Sequence, residues 1–510
     1  MKRKKILMGI ALLGCTLLPT GANAQEVCGT VKMNSSLAAG TPITLRVNNN
    51  YYGVTVDWGD GKPVTYDDRT SVIREIKGVA PGPDATIVVS GYKGWNMLDC
   101  TGCGLTNLDI TDAKNLESLY ANDNHLTTID LKGQTNLTDL HLGNNDLTEL
   151  LLTNSDRPET DLPSVETLDL SDNNLGGTFV LRAKNLQYVN IANNQYNIIY
   201  TTANTLLKTL ICNDNQVKTL SLTSNKEITT LVAHNNNLTT FTLPKSLSEV
   251  QQLLCGRLPL KQLDLTTATS LYDLDCSGCG LTTLQMPPKT QLNTLNVSNN
   301  KLTLGVLPLK TYMPNKVIFE PQADIDISGA EGLTKKDGVP CAPVTTWEKR
   351  TTEVIDLSPY RTIGAAEEYP KTDATFEWFT IDTDGTITPL KEGKAQSAPN
   401  DFYTKNGKFA FFTAQKKAYA KITSGTYNVS INTLPIVIGD DITSINSTAN
   451  FKSLQMRNAD GGILILGENV PVTVYTLDGK AVWKGTATSN GVYIALQKGI
   501  YVINGKKVIK

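Results

Sequence analysis

A chain of 510 residues exceeds the usual size of one globular domain, so several domains are expected. Its 47 Lys and Arg residues against 49 Asp and Glu residues leave a net charge near zero, which excludes the strongly basic surface typical of nucleic-acid binding. Aromatic residues make up only 6% of the chain, whereas Leu, Thr, Asn and Asp are abundant. This composition favours a β-rich repeat protein.

Residues 1–24 are interpreted as a signal peptide. A basic start over 2–5 precedes an apolar run over 6–18, and Ala22-Asn23-Ala24 forms a small-residue cleavage site before Gln25. The same run contains a segment ending at Cys15 that resembles a lipoprotein box, so lipidation of Cys15 stays open. Either way the chain is expected to be exported, then attached to the outer-membrane surface or secreted. No other stretch is apolar enough to span a bilayer.

Residues 25–93 predict a small domain of short alternating strands separated by turns. The string VDWGDG at 56–61 resembles the core signature of polycystic-kidney-disease (PKD) domains, which are immunoglobulin-like sandwiches of extracellular proteins. Asp57 and Asp60 are either metal or glycan ligands or turn residues, and the turn interpretation is preferred. Because a repeat array needs its apolar ends covered, this domain is also expected to cap the repeats that follow.

Residues 94–330 repeat one pattern, LxxLxLxxNxLxxLxL, ten times. Its fourth position recurs every 21 or 22 residues, apart from one step of 28. It falls at Leu98, Leu119, Leu140, Leu168, Val189, Leu210, Leu231, Leu253, Leu274 and Leu295. A fixed period of this length predicts a solenoid. The pattern resembles leucine-rich repeats, above all the short-repeat forms of internalins and of Bacteroidetes surface proteins. The fold expected is mainly β, a leucine-rich repeat solenoid with a parallel sheet and ten repeats of about 21 residues, flanked by β-sandwich domains.

The ninth position of the pattern is usually Asn, although the position points inward. Its amide is expected to satisfy backbone groups where the chain leaves the strand. The residues are Asn124, Asn145, Asn173, Asn194, Asn215, Asn236 and Asn300, with Cys103, Leu258 and Cys279 in the remaining repeats. The long step places an insertion around 155–164, which is expected to loop out of the coil.

Two CxxC pairs, Cys100-x-x-Cys103 and Cys276-x-x-Cys279, imitate the halves of a zinc site. They lie eight coils apart, which is roughly 38 Å at about 4.8 Å per coil. Four thiolates must lie about 2.3 Å from one zinc ion, so a shared site is excluded if the repeats stack. Buried thiols acting as small apolar side chains are the preferred interpretation, with a Cys255–Cys276 disulfide as the alternative.

The solvent face of the parallel sheet is the predicted binding surface. Its fifth-position residues are, in order, Asp99, Tyr120, His141, Asp169, Asn190, Ile211, Val232, Leu254, Asp275 and Asn296. An apolar patch is predicted at Ile211, Val232 and Leu254, with Tyr120, His141 and Tyr188 to one side. Contiguous exposed apolar surface points to a partner. The alternatives are that a neighbouring loop or domain covers the patch, or that β-branched residues serve strand propensity.

Two further domains are predicted after the repeats. The segment 316–322 resembles the terminal segment that closes such repeats in bacterial surface proteins. Residues 340–438 contain strand-like runs with Gly and Asp turns, which favour an immunoglobulin-like β-sandwich.

Residues 441–510 contain VTVYTLDGKAV at 472–482 and GIYVI at 499–503 before a Lys-rich end. They resemble the C-terminal sorting domain of type IX secretion substrates in Bacteroidetes. In that family Pro is common where Gln497 stands here. The resemblance implies passage across the outer membrane by the type IX machinery, cleavage of the domain and coupling of the remainder to surface lipopolysaccharide.

An enzyme is not expected. The chain has only three His residues, and His141, with Asp139 on the same strand, is the one on the predicted face. Glycine-rich cofactor loops are absent from the sequence, and neither a cofactor nor a metal is expected. The sequence favours a surface adhesin or recognition protein that binds an extracellular protein, of a host or a neighbouring cell, through the concave sheet. The alternatives are a glycan-binding protein acting through its sandwiches and a structural surface-layer component.

Overall fold

The computed structural model describes most of the chain from Val27 to Ile509. The described residues are 27–48, 53–66, 73–92, 95–152, 162–180, 182–287, 289, 291–308, 312–363, 371–372, 374–393, 401–439, 455–459, 462–466, 470–476, 481–487, 492–496, 500–503 and 506–509. The predicted signal peptide, Cys15 and most of the predicted insertion at 155–164 lie outside them. The chain divides into two compact units, with Ala323 in the first and Asp324 in the second.

The first unit opens with six strands. They are β1 (Val27–Ser35), β2 (Pro42–Asn48), β3 (Val54–Asp57), β4 (Val64–Tyr66), β5 (Ile73–Val79) and β6 (Ile87–Tyr92). β4, β3, β6 and β1 form an antiparallel sheet in that order. After β3, Asp57 Oδ1 accepts the N–H groups of Gly59 and Gly61 at 2.9 and 3.1 Å. The turn interpretation of Asp57 is therefore confirmed.

The repeats build one long parallel sheet, with one strand from each repeat. These strands are β7 (Met97–Asp99), β9 (Ser118–Tyr120), β11 (Asp139–His141), β13 (Thr167–Asp169), β15 (Tyr188–Asn190), β17 (Thr209–Ile211), β19 (Thr230–Val232), β21 (Gln252–Leu254), β23 (Asp273–Asp275) and β25 (Thr294–Asn296). Their order along the sheet follows the chain, and each pairs in parallel with the next. The fold is mainly β, and the repeats form a leucine-rich repeat solenoid.

The opposite side of the solenoid carries shorter and less continuous sheets. Its strands are β8 (Leu105–Asp109), β10 (Thr128–Asp130), β12 (Glu149–Leu151), β14 (Gly176–Val180), β16 (Gln195–Tyr200), β18 (Thr219–Ser221), β20 (Thr240–Thr242), β22 (Gln262–Asp264) and β24 (Thr283–Gln285). β8 pairs antiparallel with β1.

The N-terminal strands also extend the long sheet. β2 pairs antiparallel with β7 on one side and with β5 on the other. Val47 lies opposite Leu98, and both side chains are fully buried. The apolar row of the repeats thus continues into the N-terminal region, which leaves the first coil covered.

The ninth-position Asn residues make the expected backbone contacts. Asn215 is 8% exposed; its Oδ1 accepts the N–H of Tyr196 at 2.9 Å, and its Nδ2 donates to Ile191 O at 2.8 Å. The preceding residue, Asp214, has φ +54°, a sharp left-handed turn out of the strand that exposes these backbone groups. In the ninth repeat Cys279 Sγ donates instead to Cys255 O at 3.1 Å. The prediction for the Asn position is confirmed.

An eleventh coil closes the solenoid. β26 (Lys316–Ile318) pairs in parallel with β25. Gln322 replaces the ninth-position Asn, since its Oε1 accepts the N–H of Leu302 at 3.0 Å and its Nε2 donates to Val297 O at 2.7 Å. The first unit ends just after this residue, seven residues before the expected limit of 330.

The second unit begins with two antiparallel-rich sheets. Its strands are β27 (Thr334–Lys336), β28 (Val339–Ala342), β29 (Ile355–Asp356), β30 (Thr362–Ile363), β31 (Lys371–Thr372), β32 (Ala374–Ile381), β33 (Ile387–Pro389), β34 (Phe402–Lys405), β35 (Lys408–Phe411), β36 (Gln415–Ser424), β37 (Val429–Asn432) and β38 (Ile436–Ile438). The sheet β27-β28-β38-β36-β32-β33 and the sheet β29-β35-β34 share one core, in which Trp378 of β32 meets Phe411 of β35 edge-on at 4.9 Å. This is a sandwich.

The C-terminal residues form two antiparallel sheets, β39-β40-β43 and β42-β41-β44-β45. The strands are β39 (Gln455–Ala459), β40 (Gly462–Leu466), β41 (Val470–Thr476), β42 (Ala481–Ala487), β43 (Val492–Ala495), β44 (Ile500–Ile503) and β45 (Lys506–Ile509). Short 3₁₀ helices occur elsewhere at Leu304–Val306, Trp347–Lys349 and Ser358–Arg361. Within the described ranges, no helix has the length and apolar character needed to cross a bilayer.

Candidate functional site

The candidate site is the solvent side of the long parallel sheet, here called the outer face. In each repeat strand the middle residue is buried and the two flanking residues are half-buried, because successive side chains point to opposite sides of a sheet. The third and fifth positions of every repeat therefore point outward. Strand register aligns each set into a continuous row across the coils.

Ile211, Val232 and Leu254 are brought together by this register. Ile211 pairs with Val232, and Val232 pairs with Leu254, in three neighbouring coils. At about 4.8 Å between strands, the row spans roughly 10 Å. All three side chains are half-buried. A continuous apolar strip thus lies on a face whose other fifth-position residues are mostly polar.

The aromatic residues predicted beside this strip do not form one group. Tyr120 and His141 stack, with ring centroids 4.7 Å apart and planes 17° apart. Asp169 and Asn190 separate this pair from Ile211 along the row.

Tyr188 lies nearer to the apolar strip than the stacked pair does. It occupies the third-position row and pairs with Thr209, on the strand that carries Ile211. Burial and then the charge of Asp169 raise the pKa of Tyr188, so its hydroxyl stays a hydrogen-bond donor at neutral pH.

A serine beside the stacked pair was not anticipated from the repeats. Register pairs Ser118 with Asp139, on the strand that carries His141. Ser118 Oγ donates to Asp139 Oδ2 at 3.3 Å, and Thr138 Oγ1 donates to the same oxygen at 2.8 Å. The carboxylate is engaged by hydroxyl groups, and His141 is stacked on a ring. This arrangement differs from a nucleophile activated by a histidine base.

A depression at the C-terminal end of the outer face was also missed. It has a volume of about 290 Å³, and its lining includes Leu254, Asp273, Asp275, Lys316 and Ile318. The ninth repeat is the one repeat of the ten with acidic residues at both outward positions, which was the signal available in the sequence. We call this feature the acidic depression.

The two carboxylates of the acidic depression are held by neutral donors. Asn293 Nδ2 donates to Asp273 Oδ1 at 3.2 Å. Asn296 Nδ2 donates to Asp275 Oδ2 at 2.9 Å, and the N–H of Ser277 donates to Asp275 Oδ1 at 2.9 Å. These contacts fix both side chains in place without neutralising their charge.

The cysteines of the repeats are buried thiols. Cys100, Cys103, Cys212, Cys255, Cys276 and Cys279 are all unbridged. The strand order puts the two CxxC pairs eight strands apart, from β7 to β23. Burial raises the pKa of Cys276 well above its ordinary value and that of Cys212 to about 12. In the part of the chain that the structure describes, no three His, Cys, Asp or Glu side chains are grouped to hold a metal ion.

No family model and no curated protein matches the chain. Solved structures that match include the functional domain of InlJ from Listeria monocytogenes, which includes a cysteine ladder. Identity is 16% and the TM-score 0.34, over 67% of this chain and 90% of that one. YopM from Yersinia enterocolitica WA-314 matches at 22% identity and TM-score 0.27, over 43% and 58%. The Toll–Spätzle complex of Drosophila matches at 18% identity and TM-score 0.25, over 38% and 29%.

Proposed function

We propose that this chain is a non-enzymatic surface protein, an adhesin or recognition protein, that binds an extracellular protein through the outer face. The observation that carries the proposal is the strip formed by Ile211, Val232 and Leu254. The inward residues Leu210, Leu231 and Leu253 of the same strands fill the core, and these outward side chains lie outside it. Contiguous apolar side chains on a polar face are what a protein partner covers.

Neighbouring features suit the same role. Tyr188 next to the strip, and the stacked Tyr120 and His141 further along, present aromatic rings with polar tips, a side-chain type enriched in protein interfaces. The third-position residues flanking the strip, Thr209, Thr230 and Gln252, offer hydrogen-bonding groups around an apolar centre. An apolar core with a polar rim is the common anatomy of such interfaces.

The proposed location is the cell surface. The N-terminal sequence supports export through a signal peptide, and the C-terminal sequence supports the type IX secretion machinery as a partner during export. N-terminal sequencing and mass analysis of the surface-exposed form test this. A mature chain that begins at Gln25 and lacks residues near 441–510 is expected, whereas a lipidated Cys15 at the N-terminus would contradict the cleavage prediction.

The binding role is tested by probing an array of extracellular proteins and glycans with the purified chain. The test variant combines Ile211→Thr, Val232→Thr and Leu254→Gln. Each new residue is the one that already occupies the outward third position of the same strand. Ile198→Thr, a one-third-exposed apolar residue on the opposite side of the solenoid, is the matched control. We expect a protein partner to bind the triple variant at least tenfold more weakly than the unchanged chain. Its affinity for the control variant should stay within twofold of that for the unchanged chain.

Other outcomes of that array reject the proposal in different ways. Glycan binding that survives the triple variant would move the site to the flanking sandwich domains. Self-association without an outside ligand would indicate a structural surface-layer component. A protein partner that tolerates the triple variant would leave a binding protein whose site lies elsewhere.

A further inference from the structure

The apolar strip and the acidic depression are one continuous surface. Leu254 is the last residue of the strip and also lines the depression. It pairs directly with Asp275 in the next coil, and Asp273 points outward from the same strand. A partner that covers Leu254 therefore reaches two carboxylates within about one strand spacing, or roughly 5 Å.

These two carboxylates have no cationic partner among the described residues. Among the described residues, no cationic group lies within ion-pair distance of Asp273 or Asp275, and their hydrogen-bond donors are neutral. Lys316 is on the far wall, two strands from β23. The other end of the outer face differs, because Arg46 of the N-terminal region lies 3.3 Å from Asp99.

The lining of the depression indicates the type of group that fits, and its volume is about 290 Å³. Its walls are apolar at Leu254 and Ile318 and its charge is negative at Asp273 and Asp275. A long side chain with an apolar stem and a cationic head matches both properties.

We infer that the protein partner presents a Lys or Arg side chain about one coil away from an apolar anchor. The anchor covers Ile211, Val232 and Leu254, and the cation enters the acidic depression between Asp273 and Asp275. This inference rests on the proposed function and adds the chemistry of the partner. Electrostatic complementarity of this kind fixes register and selects against acidic partners.

A peptide array tests the inference without a known partner. Three series share one randomised background and differ in their core: two Leu residues followed by Lys, two Leu residues followed by Glu, and two Ser residues followed by Lys. The full chain is expected to bind the Leu–Lys series at least tenfold more strongly than either of the others. The preference for Lys over Glu should also shrink between low and high salt.

Variants that lack the two carboxylates test whether the acidic depression causes the preference for Lys over Glu. Asp273→Asn with Asp275→Asn keeps the shape of both side chains and removes their charge, although Asp275 loses one of the two acceptor oxygens that it uses toward Ser277 and Asn296. Binding of the Leu–Lys and Leu–Glu series should then agree within twofold, while the preference for Leu over Ser persists. Asp169→Asn, an outward carboxylate in the fourth repeat, is the matched control and should leave both preferences intact. Urea denaturation of each variant verifies folding.

The two proposals fail in distinguishable ways. A preference for Leu over Ser without one for Lys over Glu overturns the inference and leaves the proposed function standing. A Lys preference that survives the Asp273→Asn, Asp275→Asn variant overturns the inference as well. Equal binding of all three series would overturn this inference. It would also contradict the proposal that the outer face binds a protein partner.

Discussion

The two sides of the same parallel sheet follow different rules. Inward side chains repeat almost without change, as Leu210 and Leu231 illustrate, and these two leucines are at most 1% exposed. Outward side chains in the same strands change from coil to coil, from stacked rings at Tyr120 and His141 to an apolar strip and then a pair of carboxylates. Repetition therefore specifies the fold, and the proposed binding specificity rests on the departures from repetition.

The largest effect should follow from truncating an inward leucine. Leu231→Ala leaves a cavity among stacked coils and is expected to lower the free energy of unfolding by about 2–5 kcal/mol. Val232→Ala, one residue further and outward, should change it by less than about 1 kcal/mol. Urea unfolding followed by circular dichroism compares the two. Equal losses would show that the two faces do not differ in the way described.

Replacing an inward Asn should cause the next largest loss in the free energy of unfolding. Asn173 accepts the N–H of Leu147 at 2.9 Å and donates to Leu142 O at 2.9 Å, so Asn173→Ala leaves buried backbone groups unpaired. A loss of about 2–4 kcal/mol is expected. Asn174 follows it directly and is exposed, which makes Asn174→Ala the matched control, with an expected change below about 0.5 kcal/mol. A comparable loss in the control would indicate a general cost of Asn replacement in this turn.

The reactivity of a buried thiol tests chemically whether the inward side of the sheet is closed to solvent. Because burial raises the pKa of Cys212 to about 12, this thiol stays protonated at pH 8, whereas in the unfolded chain it ionises near its ordinary value. Alkylation requires the thiolate, so Cys212 should react at least tenfold more slowly in the folded chain than in urea. Peptide mass analysis after iodoacetamide treatment measures this. Equal rates would place Cys212 outside a closed core.

The smallest effect should come from the ion pairs of the outer face. Arg46 contacts Glu75 at 3.0 Å and Asp99 at 3.3 Å, and its side chain is half-exposed. Solvent weakens such pairs, so Arg46→Gln should leave the urea midpoint unchanged within error. A large shift would mean that this contact holds the N-terminal region on the first coil.

Periodicity was enough to place the core and the ladder of Asn residues. It was also enough to align Ile211, Val232 and Leu254, since register follows once every strand has the same phase. Periodicity alone did not reveal the eleventh coil, because Gln322 replaces the diagnostic Asn. The resemblance of segment 316–322 to a terminal segment did predict that it closes the repeats, and the pairing of β26 with β25 confirms this.

The acidic depression was missed for a different reason. Its shape depends on side chains of four successive coils, from Leu254 to Ile318, and no single repeat contains that information. The separation of Tyr188 from the stacked rings likewise follows from which outward row each residue occupies.

The most direct test of the outer face as the binding site is site-specific photocrosslinking to a partner found on the array. A photoreactive amino acid replaces Val232 in one variant and Thr240 in the other. Thr240 belongs to the same repeat but lies exposed on the strand β20 across the solenoid. An adduct formed from position 232 and absent from position 240 is the predicted result. An adduct from position 240 alone would contradict the account.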